Sequence, residues 1–451
     1  MSDQKFLKAK GIPQNFSNIQ WRTQESNKDS LLFIRGSKKS LELVLEGDFL
    51  YSHIITDCED VFSKLENVSL VASGDFISCQ KYFLDSIYPF PKNKKMIAVT
   101  GTNGKTTVTS LLEQALRLSN KKVLFIGTLG IFLNNKKIDD LHLTTPSYID
   151  LRKILFNHKD EFEFVCLEAS SHALEQERFF GMKFDGAAWT NLSQDHLDYH
   201  KTLESYFEAK KIILNHTRKK ELFILASQKE LEGKLEGSGK IKLVEHDQTF
   251  IDLFANTFEF KLHFNQENLL LAKALADFLL EEISWESISK KLHLPVGRVE
   301  RIKWSSGRDI LIDFAHTPDA LRNVTQSLRK TYPQRKLITL FGCGGDRDRT
   351  KRSLMLEAVL DSSFQVYLTS DNPRTENPEQ IMQDVLKGRK IEKVVEVVER
   401  REAIKLALSQ LPVDSILLVA GKGHENYTLI NGNKIPYSDK EEVLKIIHGQ
   451  I

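Results

Sequence analysis

From Met96 onward the chain alternates short apolar runs with amphipathic segments, and this alternation restricts the fold more than any other feature. The runs KMIAVTG, KVLFIGT, EFVCLEAS, DGAAWTNL and ELFILA are separated by helical patterns from Lys105, over 206–214 and over 265–280. Short apolar runs that alternate with helices imply a parallel sheet covered on both faces. HLPVGRVERI (293–302) interrupts the pattern. A second series then follows: DILIDFAH, a helix over 318–330, KLITLFGCGG, QVYLTSDNP, a helix over 378–386, KVVEVVE, REAIKLALSQL and DSILLVAGKGHE. Upstream of the linker YPFPKNKK (88–95), SLLFIRG and NVSLVASG read as strands of a small mixed unit. A length of 451 residues allows two to four domains, at roughly 100–200 residues each. The expected architecture is α/β in three domains: a small N-terminal α/β domain over 1–90, a central parallel-sheet domain over 91–296 and a C-terminal Rossmann-like domain over 297–451.

The first joint of the central series carries chemistry. AVTGTNGKTTVTSLL (98–112) resembles the phosphate loop G-x-x-x-x-G-K-[ST] except that Val99 occupies the position of its first glycine. Val99 belongs to the strand, and the remainder keeps what phosphate binding needs. Backbone N–H groups at a helix start attract anions. Lys105 adds a point charge for the outer phosphates, and the Thr106 hydroxyl suits Mg²⁺. Gly101 and Gly104 let the backbone come close. A central P-loop ATPase domain is therefore expected, with Gly101, Thr102, Asn103, Gly104, Lys105, Thr106 and Thr107 forming the loop.

The sequence also contains a set of hard-cation ligands without cysteine. CLEASSHALEQERFF puts Glu168 at the C-terminal end of a strand, where ligands gather in open parallel sheets. TNLSQDHLDYH puts Asp195, His196, Asp198 and His200 just after the next strand. Carboxylate and hydroxyl oxygens with an occasional imidazole suit a hard cation, so Glu168, His196 and Thr106 form a candidate metal set. Read alone, DHLDYH is more simply a polar helix cap with solvated histidines; beside a phosphate loop the metal reading takes precedence. Lys210, in SYFEAKKIIL, has apolar helical neighbours. If it faces inward, desolvation lowers its pKa, and a neutral amine can take up CO₂ as an anionic carbamate. Spacing alone leaves a solvated helix lysine as the default.

Composition excludes several classes. The formal net charge of +2 gives no global electrostatic case for nucleic acid or a membrane surface. No apolar run approaches the roughly 18 residues of a membrane span. The N-terminal MSDQKFLKAKGIPQNF has no apolar core of the secretory type. Cys58, Cys79, Cys166 and Cys343 are scattered, with no C-x-x-C pair, as expected of reduced thiols in a cytoplasmic protein.

TGTNGKT, TTP, EASSHAL, TNLSQDHLDYH, EAK, GRVE, DFAHTPDAL, FGCGGDRDRTKR, DNPR and AGKGHE occur in this order between about 96 and 440. Together they resemble the Mur ligase family, the ATP-dependent amide-forming enzymes of peptidoglycan synthesis and hence of cell-wall biogenesis, cell shape and division. Within the family they are most similar to the members that add the third residue. The resemblance implies ATP as substrate and two Mg²⁺ ions. It implies that Lys105 and the loop amides hold the β- and γ-phosphates, with Thr106 on one ion and Glu168 and His196 on a second. It makes Lys210 a carbamate-bearing lysine that also serves the metal site, and Lys105, Lys210 and His196 the catalytic set. It assigns Asn268, in FNQEN, to the adenine, and Asp313 and His316, in DFAHTPD, to the ribose and base. Thr144, Thr145, Ser170, Gln176 and Arg178 match positions that contact a UDP-N-acetylmuramoyl-dipeptide. The chemistry implied is phosphorylation of a carboxylate to an acyl phosphate and its capture by an amine.

The third domain should choose the amine. SDNPRTENP sets Asp371, Asn372, Pro373 and Arg374 in a loop after a strand; FGCGGDRDRTKR sets Arg347, Arg349, Lys351 and Arg352 in a glycine-rich loop; AGKGHE sets Gly421 and Glu425 after a third strand. Arginine pairs with a carboxylate through two parallel hydrogen bonds. Arg374 thus suits the distal carboxylate of meso-diaminopimelate and Glu425 its ammonium, with Arg347, Asp371, Asn372, Pro373 and Gly421 alongside. L-Lysine would leave Arg374 facing nothing. Three other readings are set against this one: a lysine-adding relative, a folylpolyglutamate-synthetase-like ligase, and a nucleotide-binding scaffold of wall synthesis that has lost catalysis. The N-terminal unit departs from the family: TQESNKDSLLFIRGSKKS (23–40) is at best a remnant of its D-S-R segment. The unit is read as a shortened UDP-sugar-binding-like domain with no uridine contacts assigned. The stretch 227–263 is also compressed. A monomer is expected.

Overall fold

The structure, a computed structural model, describes residues 16–36, 50–141, 143–305 and 307–449. The end of the remnant segment, 37–40, and the N-terminal 1–15 lie outside the described residues. Among the described residues three large sheets and a two-stranded ribbon form. In the N-terminal sheet, Asn18–Gln20, Ser30–Ile34, His53–Thr56 and Val68–Leu70 pair in parallel in chain order.

The central sheet runs Lys240–Val244, Glu221–Leu225, Gly186–Trp189, Lys95–Thr100, Phe164–Glu168, Val123–Gly127, Gly130–Leu133 and Lys136–Asp139. Alternate residues of one strand serve two cores. Ile97 and Val99 face the layer of helices Lys105–Leu118 and His263–Leu279, while Met96 and Ala98 face the opposite layer with Trp189, Phe179 and Phe207. Cores on both faces explain the near-continuous apolar runs. The last two strands are antiparallel and did not figure in the alternation.

The C-terminal sheet runs Glu300–Lys303, Asp309–Asp313, Ser415–Ala420, Lys336–Cys343, Gln365–Ser370 and Val394–Glu396. All its pairings are parallel except the first. Leu337 and Phe341 feed one core, Ile338 and Leu340 the other. The expected helices are found at His263–Leu279, Pro318–Thr331 and Pro378–Leu386. The helix expected over 206–214 is broken, into Leu203–Lys211 and Ile213–His216. The compressed stretch holds a helix at Lys229–Leu235 and the sheet-edge strand Lys240–Val244.

A buried arginine and a lysine–carboxylate pair join the units. Arg152, fully buried, donates to Asp85 (2.7 Å) and to the carbonyl of Tyr88 (2.6 Å) between the first and second sheets. Lys351 stands 3.5 Å from Asp195, joining the second and third.

Candidate active site

The phosphate loop joins strand Lys95–Thr100 to helix Lys105–Leu118 at the middle of the central sheet. Gly104 precedes the helix at φ 84°, a left-handed conformation that favours glycine. At Gly101 (φ 143°) a Cβ would collide with the Thr190 side chain. Lys105 Nζ donates to the loop's own carbonyls, Gly101 O and Thr102 O, both at 2.9 Å. Thr102 Oγ1 donates to Ser193 O (3.2 Å), and the Asn103 amide donates to Asn191 Oδ1 (2.9 Å). Thr107 is buried below the loop, and Asn268 presses its amide against Gly104.

Glu168 is completely buried at the end of its strand. Its carboxylate accepts from Thr106 Oγ1 (2.9 Å), Thr128 N (2.8 Å) and Thr128 Oγ1 (3.0 Å). Carboxylate and hydroxyl oxygens are therefore adjacent, the donor chemistry a hard cation prefers. Among the described residues no group of three or more His, Cys, Asp or Glu is assembled as a complete cage, so these ligands would have to share a cation with substrate oxygens and water.

His196, left-handed at φ 55°, begins the short helix Leu197–His200. Its Nε2 is 3.4 Å from Asp195 Oδ2, and its pKa is pushed down to about 3, mainly by burial. A neutral imidazole is the metal-binding form. His172 and His200 lie 5.3 Å apart by ring centroids, and His172 is 5.0 Å from His196. Lys210 is buried, as the inward reading requires, and its Nζ donates to the same Gly101 carbonyl at 2.8 Å. Burial, followed by the charge of Lys105, pushes its pKa well down.

The five residues matched to the dipeptide substrate form one connected string. Thr128 Oγ1 is 3.3 Å from Thr144 Oγ1, and Thr145 Oγ1 donates to Glu168 O (2.7 Å). Ser170 caps helix Ser171–Glu175 and accepts from Thr145 Oγ1 (3.3 Å). Arg178 donates to Thr145 O (2.6 Å) and to Gln176 Oε1 (2.7 Å). Beyond Arg178 and Gln176 opens a cavity of about 720 Å³ between the first and second sheets, walled by Trp21, Phe33, Phe76 and Tyr148.

In the third domain the Asp313 carboxylate accepts from the Val299 and Ala315 amides (2.8 Å each), holding a loop, and His316 Nδ1 is 2.7 Å from Phe314 O. Asn372, Arg374, Gly421 and Glu425 converge at the C-terminal ends of Gln365–Ser370 and Ser415–Ala420. Asn372 Nδ2 donates to Glu425 Oε2 (2.8 Å). Arg374, left-handed at φ 55°, donates to the Gly345 carbonyl, which follows the glycine-rich loop's strand, and Gly345 N–H donates to Asn372 O (2.9 Å) beside Pro373. Arg347 is 3.7 Å from Asp198 across the domain junction. One expectation is corrected. Lys351 and Arg352 are not loop residues but open helix Lys351–Leu360. Arg352 is buried against Glu376 (2.8 Å) and Asp384 (2.6 Å), a structural triad.

Comparison with known proteins decides the family. The Mur ligase middle domain matches residues 99–276 and the Mur ligase glutamate ligase domain 297–423. UDP-N-acetylmuramoyl-L-alanyl-D-glutamate–2,6-diaminopimelate ligase 1 of Clostridium acetobutylicum is 36% identical over 419 residues, 86% of either chain. The corresponding ligase of Rickettsia typhi is 39% identical over 398 residues, covering 81% of this chain and 80% of its own. The chain belongs to the Mur ligase family. Its members are ATP-dependent amide-forming ligases that use Mg²⁺. A solved 2,6-diaminopimelate ligase aligns with this Mur ligase at TM-score 0.59 and 30% identity, over 96% of this chain and 95% of that one. The MurF ligase of Thermotoga maritima, solved with ADP, shares the fold at TM-score 0.64 and 14% identity, over 97% and 99% of the two chains. No helix among the described residues is long and apolar enough to cross a membrane.

Sequence reasoning assigned Arg298 no role in this Mur ligase. Arg298, in GRVE, reaches back from the third domain to within 3.2 Å of Thr106 Oγ1 and stacks over Phe314 at 4.6 Å. Its buried Nε has no partner. The motif was visible, but nothing in a linear sequence says that position 298 returns to position 106.

Proposed function

We propose that this Mur ligase joins meso-2,6-diaminopimelate to UDP-N-acetylmuramoyl-L-alanyl-D-glutamate while ATP becomes ADP and phosphate. The relatives' names and level of identity support the reading. The observation that carries it is the pairing of Arg374 and Glu425 around Asn372, one receptor for a carboxylate and one for an ammonium, on the domain that faces the phosphate loop.

The γ-phosphoryl group passes to the D-glutamyl carboxylate: an O–P bond forms, the bond to the β-phosphate oxygen breaks, and ADP departs. The amine nitrogen then attacks the acyl carbon, and phosphate leaves from the tetrahedral intermediate. A carboxylate alone cannot do this, because oxide is a hopeless leaving group. Lys105 exchanges its two loop carbonyls for phosphate oxygens, and Arg298, with a free Nε, is a second cation for the same charge. Asn268 borders the adenine, with Asp313 and His316 at the ribose and base. Mg²⁺ neutralises repulsion between the substrate carboxylate and the triphosphate. Thr106 and Glu168 fit one such ion by oxygen chemistry. A second would sit at His196 with Lys210, whose amine must first become a carbamate to serve as a ligand. Its depressed pKa favours the neutral amine that reacts with CO₂.

Thr144, Thr145, Ser170, Gln176 and Arg178 would hold the muramoyl-dipeptide. The cavity beside them gives the uridyl end ring faces at Trp21 and Phe76, with Arg22 and Arg35 for the diphosphate. Arg347, Asp371, Pro373 and Gly421 complete the amino-acid pocket. The division at 1–90, 91–296 and 297–451, a monomeric state and a cytoplasmic location belong to the same proposal.

The test is ADP release measured with ATP, UDP-muramoyl-dipeptide and either diaminopimelate or L-lysine. Turnover that requires both the dipeptide and diaminopimelate supports the proposal. Equal use of lysine, or release indifferent to the amino acid, would end it.

A further inference from the structure

Lys422 lies in AGKGHE between two glycines and is fully buried, so it cannot touch a substrate. Its Nζ donates to Asn372 Oδ1 and to Tyr427 O, both at 2.9 Å, and stands 3.6 Å from Glu425 Oε2 and 3.7 Å from Asp371 Oδ1. Asn372 Oδ1 accepts a second bond, from the Leu429 amide at 2.9 Å. Two donors on one oxygen fix which way the amide is turned. Its NH₂ group must then face Glu425, to which it donates at 2.8 Å.

Through Tyr427 the same ammonium anchors the ribbon Tyr427–Ile430 and Asn433–Pro436. That ribbon seats Arg374: the Arg374 amide donates to Leu429 O (3.0 Å) and its carbonyl accepts from Asn431 (2.8 Å). Charge gives an independent argument. Asp371 and Glu425 carry two negative charges, Lys422 and Arg374 two positive ones. A neutral pocket with separated poles matches the zwitterionic head of an amino acid. Without Lys422 the Asp371 and Glu425 carboxylates would lose the ammonium that stands between them.

We propose that Lys422 is the positioning residue of the amino-acid pocket: it locks the Asn372 amide, sets its ammonium against the Glu425 carboxylate and anchors the ribbon that seats Arg374. This deepens the function proposed above and rests on it. Glu425 faces Asp371, Asn372, Lys422, Arg374 and Tyr427. Burial and the neighbouring Asp371 push its pKa up, and Lys422 opposes both.

The experiment measures KM for diaminopimelate, ATP and UDP-muramoyl-dipeptide in the wild type, Lys422→Met and Lys422→Gln. Removing one partner of a buried charge cluster is expected to raise KM for diaminopimelate about 100-fold, with the other two KM values within about threefold. The diaminopimelate KM should also climb more steeply in the variants than in the wild type as pH falls, because Glu425 without the opposing Lys422 ammonium protonates at higher pH. An unchanged diaminopimelate KM, a parallel rise in all three values, a pH profile like the wild type's, or failure of both variants to fold would overturn the proposal. Wild-type protein with no ligation at all would instead sink the parent reading.

Discussion

Replacing Arg374 by alanine separates recognition from folding. The backbone there is left-handed at φ 55°, but alanine and arginine both carry a Cβ, so the conformational penalty is common to both. Among the described residues the native side chain donates one hydrogen bond, to the Gly345 carbonyl. Its loss costs about 1 kcal/mol of stability, roughly 2–4 °C in the melting temperature of a domain of this size. Binding should suffer far more. Two charge-assisted bonds to a substrate carboxylate contribute about 1.5–3 kcal/mol each, so at least about 3 kcal/mol, or roughly 100-fold, should leave kcat/KM for diaminopimelate. L-Lysine has no distal carboxylate and loses nothing. The assay is ADP release with the two amino acids varied in parallel. The ratio of kcat/KM, diaminopimelate over lysine, should fall by about two orders of magnitude, while KM for ATP holds. If the ratio stays where it was, Arg374 does not read the carboxylate.

Three further outcomes are expected. Arg352→Ala should lower stability by about 2 kcal/mol by removing a buried guanidinium from Glu376 and Asp384, yet leave KM for every substrate within about threefold; denaturant titration and steady-state rates check the two halves. Lys210→Met should fold, since its Nζ has one hydrogen-bond partner, Gly101 O, but lose at least about 100-fold in kcat; ¹³C-bicarbonate should label a carbamate by NMR in the wild type and not in the variant. For acid stability the sign follows from His172 and His424, held at about 4, and His196, at about 3, each lowered chiefly by burial. The unfolded chain protonates these rings near pH 6.5 while the native one does not. Stability should therefore be full above about pH 6.5 and fall as pH drops toward 4; calorimetry in EDTA that finds a flat melting temperature over this range would refute it.

Much of the site was legible because its residues are short-range neighbours. GTNGKT carries its loop, lysine and hydroxyl within one turn, and EASSHAL follows its strand directly. Strand ends of a parallel sheet all open on the same edge, so a strand-by-strand reading brings Glu168 and His196 to one edge of the central sheet and Arg374 and Glu425 to one edge of the C-terminal sheet. Lys351 and Arg352 read as loop for the converse reason: charged residues after a glycine-rich run look like loop, and only distant partners, Asp195 for Lys351 and Glu376 and Asp384, 24 and 32 residues on, for Arg352, make their burial tolerable. The antiparallel extension escaped for two reasons: the edge strand Lys136–Asp139 is mostly exposed and carries two lysines, and Gly130–Leu133 is too short a run to stand apart from the strand before it.

Local chemistry in the chain determined the α/β class, the phosphate loop and the order of the functional segments, since hydrophobic period, glycine placement and helix starts act over only a few residues. Tertiary structure alone decided that Arg298 returns to Thr106, that two lysines share the Gly101 carbonyl, and that Lys422 stands behind Asn372 and Glu425. The physical reason is that desolvation and pairing of charges depend on which distant segments the folded core brings to within a few ångströms, and no pattern along the chain records that distance.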